Sequence, residues 1–498
     1  MKILSAEQTR LADVHTIAHE PISSIDLMER ASSKFVEAFY QGNDPKNSIA
    51  VVCGTGNNGG DGLAISRILT NKGYKVQPYV VQPKEGGSPD FLTNLDKFES
   101  VGEVIYIRDS DVPKFNEYKT IIDAIFGSGL TRMITGLYAE VIESINNSPA
   151  EVVAVDIPSG LFVDKIVESG AIVRANSTIS FQVPKLSFFM PENYQYVGEW
   201  QTADIGIDQA FIAEQKTNHS TIESRDIVKS LPLRSKFDHK GSYGHGQLIG
   251  GSYGKMGAMT LSAEAFIRSG AGLLTVTVPS SGVGIIQTSV AEAMVIDQPG
   301  DRMITEFNIF NKVQTVGIGP GLGKNNETVK AFTRFLRINK HHLVLDADAL
   351  NILSENRELL PLLPKNTIIT PHIKEFDRLT GKSDNHWQRL EKALEFSKKW
   401  KCIIVLKGAH SAIISYDGIV FFNTTGNPGM ATGGSGDVLL GIITSLRTQG
   451  LSAIDAAMAG TYIHGLAGDI AAKKRSMASL IASDISDALS DVFLQFQG

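Results

Sequence analysis

This sequence predicts two successive α/β units, each built on a parallel sheet with helices over both faces. Three observations carry that prediction. Short apolar β-type runs alternate with helical patterns twice along the chain. Gly-rich junctions follow several of the strand ends, where open parallel sheets bind their ligands. A polar, irregular stretch around residues 210–240 separates one run of alternation from the next, as at a domain junction.

The first unit opens with two amphipathic helices, Ser5–His19 and Ser24–Tyr40, the former behind a Ser-Ala-Glu-Gln capping pattern. Strand-like runs follow at Ile49–Cys53, Lys75–Val81, Glu103–Ile107, Thr120–Asp123 and Val152–Val155, with helices such as Gly62–Lys72 and Gly136–Asn146 between them. Ile172–Phe181 and Tyr196–Ala203 add further β-type residues. In the second unit the candidate strands are Gln247–Gly250, Leu273–Val278, Val313–Ile318, His342–Leu345, Thr367–Thr370 and Cys402–Leu406. Helices are expected at Ala258–Ser269, Glu327–Ile338 and Asn385–Trp400, and the C-terminal part is almost wholly helical from Ser435.

Composition bounds the function. The 498 residues have length for roughly two to four domains. A hydrophobic content of 42% and a charged content of 20% describe an ordinary globular protein. A net charge of −6 argues against a nucleic-acid surface, yet leaves room for an anionic nucleotide, which needs only a local positive site. Cys53 and Cys402 lie in apolar β-type runs and read as core thiols. No apolar run reaches a membrane span and Met1–Arg10 lacks a signal-peptide core, so a cytoplasmic protein with no membrane partner is expected.

Three strand ends of the first unit carry polar clusters: Cys53-Gly-Thr-Gly-Asn-Asn-Gly-Gly-Asp61, Asp123-Ala-Ile-Phe-Gly-Ser-Gly129 and Asp156-Ile-Pro-Ser-Gly160. In a parallel sheet they leave from the same edge and converge. The first is neither a spaced dinucleotide fingerprint nor a Walker loop. Asn58, Asp123 and Ser159 are hard oxygen ligands suited to a group 1 or group 2 cation. Asp156 is a candidate proton-transfer group. Asp61 is as suited to capping a helix as to meeting a ligand.

In the second unit, Gly250–Ala258 and Gly317–Gly323 are Gly-rich turns after strands, the first of them leading into a helix. Asp346 and Asp348 end a strand, where they could bind a metal, orient donors or cap the next helix. His372 and Glu375 stand at a strand end and helix start, and a single histidine there is usually a plain hydrogen-bonder. Lys407, ending an apolar strand, could face phosphate, or lie idle on a surface hairpin. In Asn427–Asp437 the N–H groups of Gly433–Asp437 open a helix, a site suited to phosphate. Asp437 inside that anion site is a candidate base for an attacking hydroxyl.

These loops, in this order and spacing, resemble those of the bifunctional NAD(P)H-hydrate repair enzymes. Gly54–Asp61, Asp123–Gly129 and Asp156–Gly160 are similar to the epimerase domain; Gly250–Ala258, Gly317–Gly323, Thr370–Glu375, Lys407–Ser411 and Asn427–Asp437 are similar to the ADP-dependent dehydratase domain. The resemblance implies a Rossmann-like, three-layer domain over 1–215 and a ribokinase-like α/β domain over 222–498. The first interconverts the R and S hydrates of NADH and NADPH, and the second removes water from the S form at the expense of ADP, giving AMP and phosphate. It also implies that Asn58, Asp123 and Ser159 hold K+. Asn57, Asn58, Gly59, Gly60, Asp61, Gly127, Ser128, Gly129, Leu130, Thr131, Arg132, Met133, Tyr138 and Asp156 then face the hydrate. In the second domain Ala258, Gly321, His372 and Asp437 meet the hydrate, while Lys407, Gly408, Ala409, His410, Ser411 and Gly436 meet ADP, with Mg2+ as the accompanying ion. Asp437 and Asp156 are the expected catalytic groups, and a homo-oligomer is expected. A kinase of a small alcohol, or a first domain that only binds nucleotide, are the competing readings. The joined domains and the convergent acids of the first count against them.

Overall fold

The computed structural model describes residues 1–40, 47–82, 84–108 and 111–496. The chain divides into two compact units, Met1–His219 and Ser220–Gly498.

The first unit holds seven strands: β1 (Ser48–Cys53), β2 (Lys75–Val81), β3 (Ile105–Ile107), β4 (Thr120–Ala124), β5 (Glu151–Val155), β6 (Ser177–Phe181) and β7 (Glu199–Ala203). They pair in the order β3-β2-β1-β4-β5-β6-β7, every pair parallel. The central strands are apolar and buried on both faces, as parallel strands under helices must be. Val51, Ile122 and Val153 pack against Phe35, Leu63, Phe91 and Phe98 of the helices Ser24–Tyr40, Asn57–Asn71 and Pro89–Glu99. On the other face, Ala50, Val52, Ile121 and Ala154 meet Val141, Ile142 and Ile145 of the Leu137–Asn146 helix. That alternation makes the three layers. The chain leaves β1 toward β2 on one side and returns through β4 on the other, so the crevice between the β1 and β4 ends is the topological switch point. The expected capping box of the first helix is present, with Ser5 and Gln8 exchanging bonds. This helix, Ala6–His19, buries Ala12 among Leu4, Val183, Ile205 and Ile212, which carries it to the same edge of the sheet.

The boundary that differs at the site is that of the helix after β1. It begins at Asn57, not Gly62, so Asn57–Asp61 form its first turn. Gly59 permits this: a side chain there would stand 1.8 Å from the Gly54 carbonyl oxygen.

The second unit contributes β8 (His219–Thr221), β9 (His245–Ile249), β10 (Leu273–Pro279), β11 (Met294–Gln298), β12 (Thr315–Ile318), β13 (His342–Leu345), β14 (Ile368–Ile369), β15 (Ile403–Leu406), β16 (Ala412–Ile414) and β17 (Val420–Phe422). Their order is β11-β10-β9-β12-β13-β14-β15-β16-β17-β8, parallel from β11 to β15 and antiparallel through β16 and β17. Its core joins the helices Met256–Arg268, Ser435–Thr448, Ala453–Arg475 and Ala482–Gln495 through residues such as Phe266, Leu440, Ile443, Ile463 and Leu489. Ser435–Thr448 is buried along most of its length, the place of a central helix whose first turn faces the strand ends. Strands β8, β11 and β16 lie outside the runs expected from the sequence, and β8 with the helix Ser224–Ser230 falls in the stretch expected to be irregular. Among the described residues, no helix is long and apolar enough to cross a membrane.

Candidate functional site

Each unit carries one site at the carboxyl ends of its strands. In the first, a cavity of about 530 Å³ is lined by Asn57, Asn58 and Asp61, by Gly127 to Arg132, and by Asp156. The three loops expected to converge do so. Gly59 and Gly60 sit behind the wall, where their bare backbones let the helix close on Gly54 and Met28. Tyr138 also lies behind it, its ring centroid 4.7 Å from that of Phe126 and its hydroxyl donating to the Val81 carbonyl at 3.3 Å. Met133 is exposed beyond the lining.

Asp156 is held in a left-handed backbone conformation (φ 65°), uncommon for a residue other than glycine though aspartate tolerates it better than most. Its Oδ1 lies 2.8 Å from Lys185 Nζ and accepts from the Phe181 N–H at 3.0 Å. Lys185 is fully buried, and its ammonium also donates to the Val183 and Phe181 carbonyls. Two more acids line the same cavity. Burial, then the neighbouring Asp156 charge, pushes the Asp13 carboxyl up to about 6, with Lys185 offsetting part of the rise. Asp61 is raised well above the usual carboxylate range by burial first, then by Asp156 and Asp13. Asp61 is therefore no helix cap: that position belongs to Gly56.

Asp123 and Ser159 meet directly. Ser159 Oγ donates to Asp123 Oδ1 at 2.6 Å, its N–H donates to Oδ2 at 2.8 Å, and Oγ accepts from the Phe126 N–H at 2.8 Å. Burial pushes the Asp123 carboxyl up to about 6 against these bonds. Asn58 stands beside Gly127, and its buried amide nitrogen has no hydrogen-bond partner.

In the second unit the central helix starts from Gly434 in left-handed backbone (φ 92°). A side chain on Gly436 would meet Lys407 Nζ at 3.2 Å and Asp346 Oδ2 at 3.4 Å, so this pair stands over the helix N-terminus. Lys407 donates to both Asp346 oxygens, at 2.9 and 3.1 Å. Asp346 occupies an N-cap position yet makes no side-chain cap, so its carboxylate is given to the lysine. Lys407 does lie on a hairpin connection, between β15 and β16, but is no idle surface residue: its side chain is only 20% exposed. Asp437 is pushed up to about 7 by burial first and then by Asp346, with Lys407 opposing.

The other expected residues gather around this point. Ser262 Oγ lies 3.0 Å from the Ala258 carbonyl oxygen and 2.9 Å from that of Asp437. Gly321 accepts from Ser252 of the first Gly-rich turn at 2.7 Å. His372 bridges to Lys407 in parallel backbone pairing. Its ring Nδ1 caps the following helix, accepting from the N–H groups of Lys374 and Glu375, while Nε2 remains half-exposed beside Glu375. Gly408 and Ser411 close the tight turn after Lys407 with two mutual bonds, leaving Ala409 exposed and His410 half-buried. Asp348 accepts from the Gly323 N–H at 2.8 Å.

Three side chains at these sites escaped the sequence reading: Asp13, Lys185 and His464. His464, on the Ala453–Arg475 helix, reaches Ser435 Oγ at 3.2 Å, and burial lowers its proton affinity to about 4. It is a neutral partner for the first residue of the central helix.

Comparison with known proteins matches the chain to two family descriptions: NAD(P)H-hydrate dehydratase over residues 247–491, and YjeF-related protein N-terminus over residues 24–187. A bifunctional NAD(P)H-hydrate repair enzyme of Moorella thermoacetica is 36% identical, the alignment covering 98% of this chain and 96% of that one. A namesake of Coxiella burnetii is 35% identical over 93% of this chain and 94% of its own. Among solved structures, an ADP/ATP-dependent NAD(P)H-hydrate dehydratase of Bacillus subtilis, co-crystallised with ATP and Mg2+, is 28% identical. It covers 56% of this chain and all (100%) of its own, with a TM-score of 0.49. Two family matches in one chain and near end-to-end relatives give one conclusion: the chain belongs to the family of bifunctional NAD(P)H-hydrate repair enzymes.

Proposed function

We propose that residues 1–215 epimerise the R and S forms of NADH and NADPH hydrates. Residues 222–498 dehydrate the S form with ADP. The observation that carries the second activity is Asp437 in the first turn of the central helix, beside Gly436 and the Lys407–Asp346 pair. Hydroxide is a poor leaving group near neutral pH. Asp437 takes the proton of the ring hydroxyl as its oxygen attacks the terminal phosphoryl of ADP, releasing AMP. The N–H groups of Gly434–Asp437 stabilise the transferring phosphoryl. The ring nitrogen lone pair then expels phosphate, and loss of a proton from the neighbouring carbon restores the dihydropyridine. Lys407, Gly408, Ala409, His410, Ser411 and Gly436 would hold ADP, and Ala258, Gly321, His372 and Asp437 the hydrate.

Among the described residues no group of three or more His, Cys, Asp or Glu could hold a metal alone. Mg2+ would be held chiefly by ADP phosphates, with Asp346 and Asp437 the carboxylates available at the helix N-terminus, and would supply charge neutralisation on the phosphates. In the first unit the Asn58, Asp123 and Ser159 set is all oxygen with one formal charge, which fits K+. The ion would supply a positive anchor for the three loops. Asn57, Asn58, Asp61, Gly127 to Arg132 and Asp156 surround the hydrate, Gly59, Gly60, Met133 and Tyr138 support them, and Asp156 is the proton-transfer group. A cytoplasmic homo-oligomer acting on free nucleotides, with no nucleic acid or membrane partner, completes the reading.

Product analysis tests it. A dehydratase leaves AMP, free phosphate and NADH from S hydrate and ADP; a stable phosphoester would instead make the second unit a small-alcohol kinase.

A further inference from the structure

We propose that Asp13 is the proton donor of the epimerisation, paired with Asp156 as the base, the two exchanging roles between the two epimers. The inference rests on the epimerase reading of the first unit, and goes beyond it in naming a residue outside the matched 24–187 segment.

Three observations converge. Asp13 and Asp156 line the same cavity, which also takes in Asp61 and Arg10. Their surroundings differ in kind: Asp156 is ion-paired with the fully buried Lys185 and accepts a backbone N–H. Among the described residues no hydrogen bond or ion pair ties the Asp13 carboxyl down. Burial and the Asp156 charge favour a proton on Asp13, whose carboxyl is pushed up to about 6. Two acids in one cavity, one held by a buried cation and a backbone N–H and the other untied, are the arrangement an acid–base pair requires.

The step balances without a co-reactant. Asp13 gives its proton to the ring hydroxyl. The carbon–oxygen bond breaks with both electrons going to the departing water, while the ring nitrogen lone pair forms the iminium. A water adds to the opposite face of that carbon and loses its proton to the Asp156 carboxylate. The reverse direction runs with Asp156 as acid, and the pair resets by proton exchange with water in the cavity. The charges facing Asp13 are Asp156 and Lys185 beyond β5 and β6, Asp61 on the Asn57–Asn71 helix, Arg10 on its own helix and Arg132 in the loop after β4; His15, paired with Asp208, is two residues along and so on another face of the helix.

The test is R-to-S exchange followed by NMR without ADP, in wild type and D13N. We expect D13N exchange to fall about 10²–10⁴-fold toward the spontaneous rate, with the ADP-dependent turnover of S hydrate in the other unit unchanged. Wild-type exchange should fall as pH rises through the Asp13 titration, and D13N should lack that limb. D13N within threefold of wild type, or slowed with the limb intact, overturns the proposal. Should D13N fail to fold, D13E decides: a carboxyl displaced by one methylene slows exchange and moves the limb, and an unmoved limb overturns the assignment. A wild-type chain that exchanges nothing would instead remove the epimerase reading itself.

Discussion

Single side chains set the chemistry of both sites. Asp437 must be ionised to accept a proton, and its carboxyl is raised to about 7. Dehydratase kcat/KM should therefore fall as pH drops below about 7, because the base is lost by protonation. D437N should lower kcat by about 10²–10⁴-fold at every pH and flatten that limb; an unaltered profile in steady-state assays would contradict the assignment. Lys185 is the corresponding test in the first unit. It is fully buried against Asp156, so K185M leaves a buried charge without its partner. A loss of about 3–5 kcal/mol is expected in denaturant unfolding of that unit. These buried partners were the least legible part of the sequence. Asp13 is one acid on an amphipathic helix, Lys185 one cation after an apolar strand, and His464 one ring inside a long helix; only tertiary packing brings each to its site.

At the scale of elements, the junctions between strand and helix were legible because glycine and small polar residues at a strand end have few other uses. The loops after β1, β4 and β5 met as their positions in a parallel sheet required. Short or half-exposed strands were not. Strand β11, with only one buried residue, lacks the apolar run of a central strand, and β16 spans three residues. The close approach at Gly59 gives a sharp prediction. G59A places a carbon 1.8 Å from the Gly54 carbonyl oxygen, and the helix must move to admit it. A destabilisation of about 1–3 kcal/mol is expected, read as a lower denaturation midpoint of the first unit. Withdrawing K+ should slow epimerisation and leave ADP-dependent dehydration unchanged, since only the first unit offers the Asn58, Asp123 and Ser159 set. Parallel assays in sodium and potassium buffers would show it.

Over the whole molecule, each unit has its own sheet and its own apolar clusters. A protein cut after Gln215 keeps β8 with the second sheet. Both pieces should fold, shown by cooperative unfolding of each, and each should retain its own reaction. The α/β class and the two-part organisation followed from repeated alternation and the polar stretch between. The measurement that bears most directly on the two-activity account is recovery of reduced-nicotinamide absorbance in the near ultraviolet. A mixture of R and S NADH hydrate is incubated with the intact protein, K+, Mg2+ and ADP. Complete recovery, faster than spontaneous epimerisation allows, is the predicted result. Recovery that stops at the S fraction would contradict the epimerase half, and none at all would contradict the dehydratase half.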